Sequence, residues 1–256
     1  MEKQGRWAGR NSDKDAVRSD VWGGLEAGGM AMGPTWSHIP NFIGADMAAW
    51  FLAQTDAWKR AKTVKFNPDP PQIPIRLRAL YEGKMLYAPV PYLTKDFPYL
   101  RIDPKKLVEK GVSFELAATS EVYMMHGERI GFEEVEPLDF CVVGSVAVSR
   151  EGGRTGKGAG FADLETGIFR ELGIIGPETP MATSVHSSQL VDNSRVFMLA
   201  HDSPVDFVTT EKELIVTGNT QPRPKGVAWD FVQEDQFESI PFLRALRDRM
   251  LARSSA

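Results

Sequence analysis

The segment "RTGKGAGFADLE", which begins at Arg154, combines two basic side chains with three alternating glycines directly before a predicted helix. Gly156, Gly158 and Gly160 let the backbone curl until its N–H groups face inward, and the start of the helix adds partial positive charge. Arg154 and Lys157 add two full positive charges. This combination is typical of a site that binds an anion such as phosphate.

The order of these residues matches neither of the two commonest nucleotide-binding motifs, G-x-x-x-x-G-K-[ST] and G-x-G-x-x-G. A flexible hairpin with a solvated arginine and lysine is therefore an alternative. A second basic pair, Lys14 and Arg18, stands four residues apart on the first predicted helix, so both side chains share one face and can converge on a phosphate chain. An ordinary solvent-exposed helix face is the alternative for this pair.

The elements that must position these residues alternate between strand and helix. The strand "KTVKFN", the helix "IRLRALYEG" and the strand "KMLYAPV" come first, and the β-branched run "DFCVVGSVAVS" then predicts one continuous strand buried on both faces of a parallel sheet. That strand leads into the glycine loop, the helix "FADLETGIFRELG" follows, and "PMATSVH" and "VDFVTT" predict further strands. This order predicts an α/β fold with an open, mostly parallel sheet flanked by helices, a Rossmann-like three-layer arrangement with a C-terminal helical extension.

The remaining segments give the domain boundaries. Ser12 or Asp13 can cap the first helix, and "NFIGADMAAWFLAQTDAWKRA" predicts a single second helix with an aromatic-rich core face. We expect a flexible arm at 1–11, an α/β domain at 12–217 and an extension at 218–256. The extension ends in a charged amphipathic helix, which we expect to pack on the body or on a partner.

Composition excludes several classes of protein. Hydrophobic residues make up 42% and charged residues 25% of the 256-residue chain, as in ordinary globular domains. The net charge of -4 gives no basic field for nucleic acid, and the single cysteine, Cys141, excludes a disulfide framework. No apolar run reaches the roughly 20 residues that span a bilayer. We therefore expect a cytoplasmic protein with no nucleic-acid or membrane partner; its oligomeric state has no sequence signature.

Four stretches together resemble the 5-formyltetrahydrofolate cyclo-ligase family, also called methenyltetrahydrofolate synthetases. They are the early pair Lys14 and Arg18, the strand "GKMLYAP", the strand "DFCVVGSVAVS" leading into "RTGKGAGFAD", and the late segment "HDSPVDFVTT". The resemblance covers most of residues 13–216. The inserts "HIPNFIGADMAAW" and "VKFNPDPPQIPIR" indicate a divergent branch of that family.

The resemblance implies ATP and Mg²⁺ as cofactors and a reduced folate as substrate. In this family the formyl oxygen of 5-formyltetrahydrofolate attacks the γ-phosphate of ATP, and ring closure then gives 5,10-methenyltetrahydrofolate. Arg154 and Lys157 are implied to act in catalysis. The residues implied to bind ATP are Lys14, Arg18, Arg154, Gly156, Lys157, Gly158 and Gly160.

Asp163 and Asp202 match the family's metal-ligand positions, and one or two carboxylates are enough for Mg²⁺. Each also fits a simpler structural role, Asp163 in the first turn of a helix and Asp202 in a turn. Phe161 and Gln72 are the implied substrate-binding residues. Phe161 can stack on a pterin, and Gln72 stands where the family uses a glutamate to read the pterin edge.

The chain departs from the family's loop pattern, which reads G-R-G-x-G-Y-Y-D. Phe161 and Ala162 replace the two tyrosines, and Ala162 can neither stack nor donate a hydrogen bond. Our leading hypothesis is an ATP- and Mg²⁺-dependent cyclo-ligase acting on 5-formyltetrahydrofolate. The alternatives are a paralogue that keeps the nucleotide site but uses another substrate or has no cyclo-ligase activity, and a non-catalytic binding or scaffold protein that uses its C-terminal helix.

Overall fold

The structure of the protein is a computed structural model that describes residues 3–93 and 95–254. Residues 1–2 of the expected arm and 255–256 of the expected extension lie outside the described residues. The α-helices are α1 (Ser12–Ala27), α2 (Ala45–Ala53), α3 (Asp56–Arg60), α4 (Ile73–Tyr81), α5 (Pro104–Glu109), α6 (Phe114–Ala117), α7 (Ser120–His126), α8 (Phe161–Glu171), α9 (Glu234–Ser239) and α10 (Leu243–Ser254). The strands are β1 (Thr63–Lys65), β2 (Met85–Pro89), β3 (Tyr99–Ile102), β4 (Glu128–Ile130), β5 (Phe140–Val142), β6 (Ala147–Val148), β7 (Arg154–Thr155), β8 (Met181–Ser184), β9 (Phe207–Thr209) and β10 (Leu214–Val216).

The described chain forms an eight-stranded sheet in the order β10-β9-β8-β5-β1-β2-β3-β4. The central strands from β9 to β2 are parallel, which confirms the predicted α/β fold. The edges are antiparallel, with β10 paired to β9 and with β3 and β4 paired beyond β2. We did not predict β3, β4 and β10, because these short segments lack the long β-branched runs of the central strands.

Hydrophobic side chains alternate between the two faces of the sheet. In β5, Cys141 belongs to the cluster that contains α8 and the C-terminal helices. Its neighbours Phe140 and Val142 belong to the cluster that contains α4 and β1. In a strand, successive side chains point to opposite faces, so one strand contributes to two cores. The sheet is therefore the middle of three layers, and its strand ends are free to carry a site.

The single helix predicted over "NFIGADMAAWFLAQTDAWKRA" is wrong, because the segment forms two helices, α2 and α3. Thr55 ends the run: its hydroxyl accepts a hydrogen bond from the amide of Trp58 at 3.2 Å and so caps α3. The predicted apolar face is also only partly buried. Trp58 lies in the core, whereas Met47 and Trp50 are exposed.

The continuous strand predicted over "DFCVVGSVAVS" breaks after β5, and β6 pairs instead with β7 in a separate two-stranded sheet. The break lies at Gly144. A Cβ atom at this position would meet Ile39 at 2.8 Å and Asp69 Oδ2 at 3.1 Å. The close approach of these side chains therefore requires glycine. The chain leaves the main sheet here and turns toward the glycine loop.

Both ends of the described chain pack on the body. Ile240, Leu243 and Leu246 of the extension are buried in the same core as α8, so the expectation that the extension packs on the body is confirmed. Asn11, instead of Ser12 or Asp13, caps α1 by accepting a hydrogen bond from the amide of Lys14 at 2.9 Å. Among the described residues, none of the helices has the length and apolar character needed to cross a membrane.

Candidate active site

A cleft with a cavity volume of about 560 Å³ opens where β1, β2 and β5 reach their carboxyl ends. Asn67, Val90 and Gly144, which follow these strands, line it. Open α/β sheets bind ligands in this crevice. The sequence-predicted residues that line the cleft are Lys14, Arg18, Arg154, Gly156, Lys157, Gly158, Gly160, Phe161, Asp163 and Asp202.

The glycine loop presents a run of unpaired amides to the cleft. Within the described chain, none of the backbone N–H groups from Gly156 to Asp163 has a hydrogen-bond acceptor. Gly158 and Gly160 have φ values of +103° and +77°, which only glycine adopts freely, and Gly160 is the N-cap residue of α8. Unpaired amides at the start of a helix make an anion-binding concavity.

The carbonyl groups of the same loop accept hydrogen bonds from side chains that border the cleft. Arg18 Nε donates to the carbonyl of Gly156 at 2.7 Å, and Arg10 donates to the carbonyls of Gly158 and Ala159 at 3.2 and 3.3 Å. Gln236 Nε2 donates to Ala159 at 3.1 Å. These bonds occupy three carbonyls of the loop and fix its peptide planes, so the unpaired amides are left to bind a ligand.

The side chain of Arg154 holds separate segments of the site together. Its side chain is buried, donates to the carbonyls of Ser203 at 3.0 Å and Gly144 at 3.3 Å, and pairs with Asp163. Asp163 also accepts a hydrogen bond from the Ser203 amide at 3.0 Å. Burial would raise the pKa of the Asp163 carboxyl, but the Arg154 charge and the Ser203 amide lower it below its ordinary value.

Lys14 and Asp202 form a second buried ion pair near that of Arg154 and Asp163. The Asp202 carboxylate also accepts a hydrogen bond from the amide of Leu199 at 2.7 Å. Asp202 directly precedes Ser203, which bonds Asp163, so the two predicted metal ligands lie next to each other. The first helix thus delivers Lys14 and Arg18 to the glycine loop, as the sequence spacing predicted.

Lys157 is the least constrained cation of the loop. Its Nζ lies 3.0 Å from Asp69 Oδ1 and 5.6 Å from the ring centroid of Tyr92, and 19% of its side chain is exposed. Within the described chain, Asp69 is the only hydrogen-bonding partner of the Lys157 ammonium group. The side chain can exchange Asp69 for an anionic ligand without breaking a buried network.

Asp163 and Asp202 each keep one oxygen without a hydrogen bond among the described residues, Oδ2 in Asp163 and Oδ1 in Asp202. Asp202 Oδ1 lies 3.7 Å from Nε2 of His201, which would have to make room for a metal ion. Nowhere in 3–93 and 95–254 do three or more His, Cys, Asp or Glu side chains cluster so as to hold a metal ion. Mg²⁺ does not need such a cluster, since it binds through one or two carboxylates, waters and phosphate oxygens. The two aspartates therefore fit Mg²⁺ that arrives with a phosphate ligand.

The C-terminal extension forms one wall of the cleft, which the sequence did not predict. Its cleft-lining residues are Gly226, Val227, Ala228, Phe231, Val232, Gln233 and Gln236. Arg10 of the N-terminal segment pairs with Asp235 of α9 and also binds the glycine loop. The two ends of the described chain therefore meet over the loop and narrow the cleft.

Comparison with known proteins identifies the family. Residues 11–211 match the sequence model described as the 5-formyltetrahydrofolate cyclo-ligase family. The chain belongs to this family. The resemblance read from the glycine loop and the early basic pair is therefore confirmed for most of the α/β domain.

Curated relatives extend the match into the C-terminal region. The chain is 36% identical to the human methenyltetrahydrofolate synthase domain-containing protein over 238 residues, which is 92% of this chain and 62% of the relative. It is 37% identical to the mouse protein of the same name, over 92% of this chain and 63% of the relative. The chain thus spans less than two thirds of the length of these relatives.

A solved structure shows the same fold. The NMR structure of Aquifex aeolicus 5,10-methenyltetrahydrofolate synthetase superposes with a TM-score of 0.51 at 20% sequence identity, covering 83% of this chain and 95% of that one. At this identity the match supports the architecture of the cyclo-ligase fold in this chain. The arrangement of the site itself is carried by the side chains described above.

The predicted substrate residues of this cyclo-ligase family member lie at different depths. Phe161 lines the cleft, with its ring centroid 5.9 Å from that of Tyr92 in an edge-to-face arrangement, and Ala162 lies beside it. Gln72 is buried and its Oε1 accepts a hydrogen bond from the amide of Asn67 at 2.8 Å. Gln72 therefore lies behind the cleft surface, and its direct contact with a ligand stays a prediction.

Sequence reasoning missed a buried polar cluster on the same wall. Glu165 lines the cleft, and its Oε2 lies 2.8 Å from Nζ of the buried Lys65 and accepts a hydrogen bond from the Tyr99 hydroxyl at 2.8 Å. The Lys65 contact is an ion pair without hydrogen-bond geometry. A lysine in the middle of the apolar strand "TVKF" was the available signal, because a buried charge requires a partner.

Proposed function

We propose that the protein is an ATP- and Mg²⁺-dependent cyclo-ligase that converts 5-formyltetrahydrofolate to 5,10-methenyltetrahydrofolate. One observation carries the proposal: in a member of this family, unpaired amides from Gly156 to Asp163 face a cleft into which Lys14, Arg18 and Lys157 also project. A linear triphosphate matches such a site, because it offers many acceptor oxygens and several negative charges.

The basic side chains of the cleft differ in how freely they can move, and we assign them different roles on this basis. Lys14 and Arg18 are buried and are held by the carboxylates of Asp202 and Asp15, so their positions at the phosphate site are fixed before a ligand binds. Lys157 is more exposed and has a single carboxylate partner, so it reaches the transferred phosphate and neutralises charge there. Arg154 is saturated by Asp163 and two carbonyls and acts by holding the loop and Asp163 in place.

Mg²⁺ supplies charge neutralisation at the phosphate oxygens when it is bound, and Asp163 and Asp202 are the residues that would hold it. Both carboxylates are already positioned by other side chains and amides. The carboxylates therefore need little further ordering to bind a metal ion, apart from a shift of His201 away from Asp202.

The reaction proceeds in two steps. The formyl oxygen of the substrate attacks the γ-phosphorus of ATP and ADP leaves, giving a phosphorylated imidate; the neighbouring nitrogen then attacks the imidate carbon and phosphate leaves. Such chemistry asks the protein for positioning and charge neutralisation. Val227, Phe231 and Val232 add apolar side chains to one wall of the cleft, where they can cover part of a bound substrate.

The direct test is to follow the absorbance of the methenyl product with purified protein and 5-formyltetrahydrofolate, with and without ATP and Mg²⁺. We expect product only when both are present. Lys157→Ala should lower the rate, whereas Lys212→Ala, at an exposed lysine outside the cleft lining, should not. Absence of ATP-dependent product from folded wild-type protein would refute the proposal, and absence of binding heat with ATP and Mg²⁺ would favour the scaffold alternative.

Ala162 favours a second candidate, a paralogue with the same nucleotide site and a different acyl substrate. Ala162 lines the cleft at a position where the family pattern has a tyrosine. Under this alternative, the double change Ala162→Tyr and Gln72→Glu should raise cyclo-ligase activity by restoring the folate contacts. An unchanged or lower rate, with ATP binding preserved, would argue against the paralogue.

A further inference from the structure

Glu165 has an unusual environment for a residue on a ligand cleft. It is 2% exposed, yet it lines the cavity. Its Oε2 contacts Lys65 Nζ and the Tyr99 hydroxyl, both at 2.8 Å. Burial, followed by the charge of Glu165, raises the pKa of Tyr99 well above its ordinary value, so this hydroxyl stays protonated and donates.

The second carboxylate oxygen is left for another partner. Among the described residues, Oε1 of Glu165 has no hydrogen bond. Lys65 and Tyr99 fix the direction of the carboxylate by binding Oε2, so Oε1 is a preoriented acceptor at the cleft.

Phe161 stands one helical turn before Glu165 on α8, and residues four apart lie on the same face of a helix. Both line the cleft. The helix therefore presents an aromatic ring and, about 6 Å away, a buried acceptor. A flat heterocycle that stacks on Phe161 would direct its edge toward Glu165, and Ala162 leaves space for it.

We propose that Glu165 is a specificity-determining residue whose Oε1 accepts a hydrogen bond from an amino group at the edge of a flat heterocycle stacked on Phe161. This inference rests on the proposed function, under which the heterocycle is the pterin of the reduced folate. The pterin carries an exocyclic amino group at its edge, and a carboxylate oxygen is a strong acceptor for such a donor. Glu165 lines the cleft, whereas Gln72 is buried behind its surface and accepts a hydrogen bond from the Asn67 amide.

The experiment compares KM for 5-formyltetrahydrofolate with KM for ATP. Glu165→Gln alone would leave the Lys65 charge buried without a partner and would destabilise the fold. The test therefore uses the double variant Lys65→Met/Glu165→Gln, which removes both charges together. We expect its folate KM to rise about 10- to 100-fold, while KM for ATP stays within about twofold. Glu213→Gln, at an exposed surface ion pair, is the control and should change neither constant.

A role in stability alone would move both KM values or neither, so an unchanged folate KM in the folded double variant overturns the inference. If the double variant does not fold, wild-type protein is assayed with the 2-desamino analogue of 5-formyltetrahydrofolate. This analogue removes one donor from the ligand and should show a KM at least about tenfold higher. Equal KM values for the two compounds overturn the inference.

A failure of this inference can be distinguished from a failure of the proposed cyclo-ligase function. If wild-type protein forms no methenyl product, equilibrium dialysis gives the Kd of 5-formyltetrahydrofolate for wild type and double variant. Binding that is tighter in wild type by about tenfold or more supports the role of Glu165 although the cyclo-ligase activity is absent. Equal binding, or none, refutes it.

Discussion

Two regions of the described chain gather basic side chains and carboxylates, and they differ in burial. In the cleft, the side chains of Arg154, Lys14 and Asp202 are 2%, 8% and 7% exposed. At the antiparallel edge formed by β3 and β4, those of Arg101 and Glu128 are 27% and 41% exposed. The edge also has a cavity, with a volume of about 250 Å³.

The comparison shows that a cluster of positive charge does not by itself identify a phosphate site. At the edge, Arg101 and Lys106 share the carboxylate of Glu128 in a setting open to water, where ion pairs are screened. In the cleft, buried cations lie next to the unpaired amides that follow Gly156. Water is less able to screen charge there, so an incoming anion gains more.

Arg154→Met should have the largest effect of the variants considered, and that effect is a loss of stability. This change removes the partner of Asp163 and the donor to two carbonyls, so we expect the free energy of unfolding to fall by about 3–5 kcal/mol. The matched edge variant, Arg101→Met, should cost about 1 kcal/mol or less. Urea denaturation measures both, and equal losses would contradict the distinction between the two regions.

The next effect concerns binding. Lys157→Glu places a negative charge beside the loop amides, so we expect the Kd for ATP with Mg²⁺ to rise about 10- to 100-fold, while stability falls by about 1 kcal/mol or less. Lys106→Glu at the edge should leave the Kd unchanged. Calorimetric titration gives the affinities. A similar weakening by both variants would mean that long-range charge, and not the cleft, controls binding.

The sequence predicted the elements whose pattern is strong. The central strands and α8 follow from β-branched runs and helical periodicity, and the meeting of Lys14 and Arg18 with the glycine loop follows from their spacing and the family resemblance. The edge strands were missed because "YLRI" and "ERI" are short and partly polar. Their pairing is set by the neighbouring strand and not by their own pattern.

The C-terminal wall of the cleft and the depth of Gln72 depend on contacts between distant segments. No local pattern indicates that Gly226 and Phe231 form a cleft wall, since their position results from the packing of α9 and α10 on α8. The depth of Gln72 likewise depends on its hydrogen bond to Asn67. Periodicity reports which face of an element is buried, but it does not report which distant segment covers that face.

A third prediction uses Cys141, which lies in β5 beneath the cleft. Burial raises the pKa of its thiol to about 11, so native protein at pH 8 should react with iodoacetamide only when it unfolds. ATP with Mg²⁺ at ten times its Kd should slow labelling about tenfold, because binding stabilises the folded state. Labelling followed by mass spectrometry tests this, and Lys157→Glu should lose the protection at the same ATP concentration.

The smallest effect belongs to the edge. Hydrogen bonds from Arg101 and Lys106 lower the pKa of Glu128 from its ordinary 4.5 to about 2. A carboxyl whose pKa is lowered by folding stabilises the protein fully above pH 4.5, and this contribution is lost as the pH falls toward 2. Because Glu128 is 41% exposed, the contribution should be below about 1 kcal/mol.

Glu128→Gln should therefore differ from wild type in unfolding free energy fully above about pH 4.5, and the difference should shrink as the pH falls until the two proteins converge near pH 2. The difference should also shrink in about 1 M salt, where charges more than roughly 3 Å apart are screened. Urea unfolding across this pH range, at low and high salt, measures it. A difference that persists at pH 2 or in high salt would show that the edge pairs are shielded from water as the cleft pairs are, and the contrast between the two regions would fail.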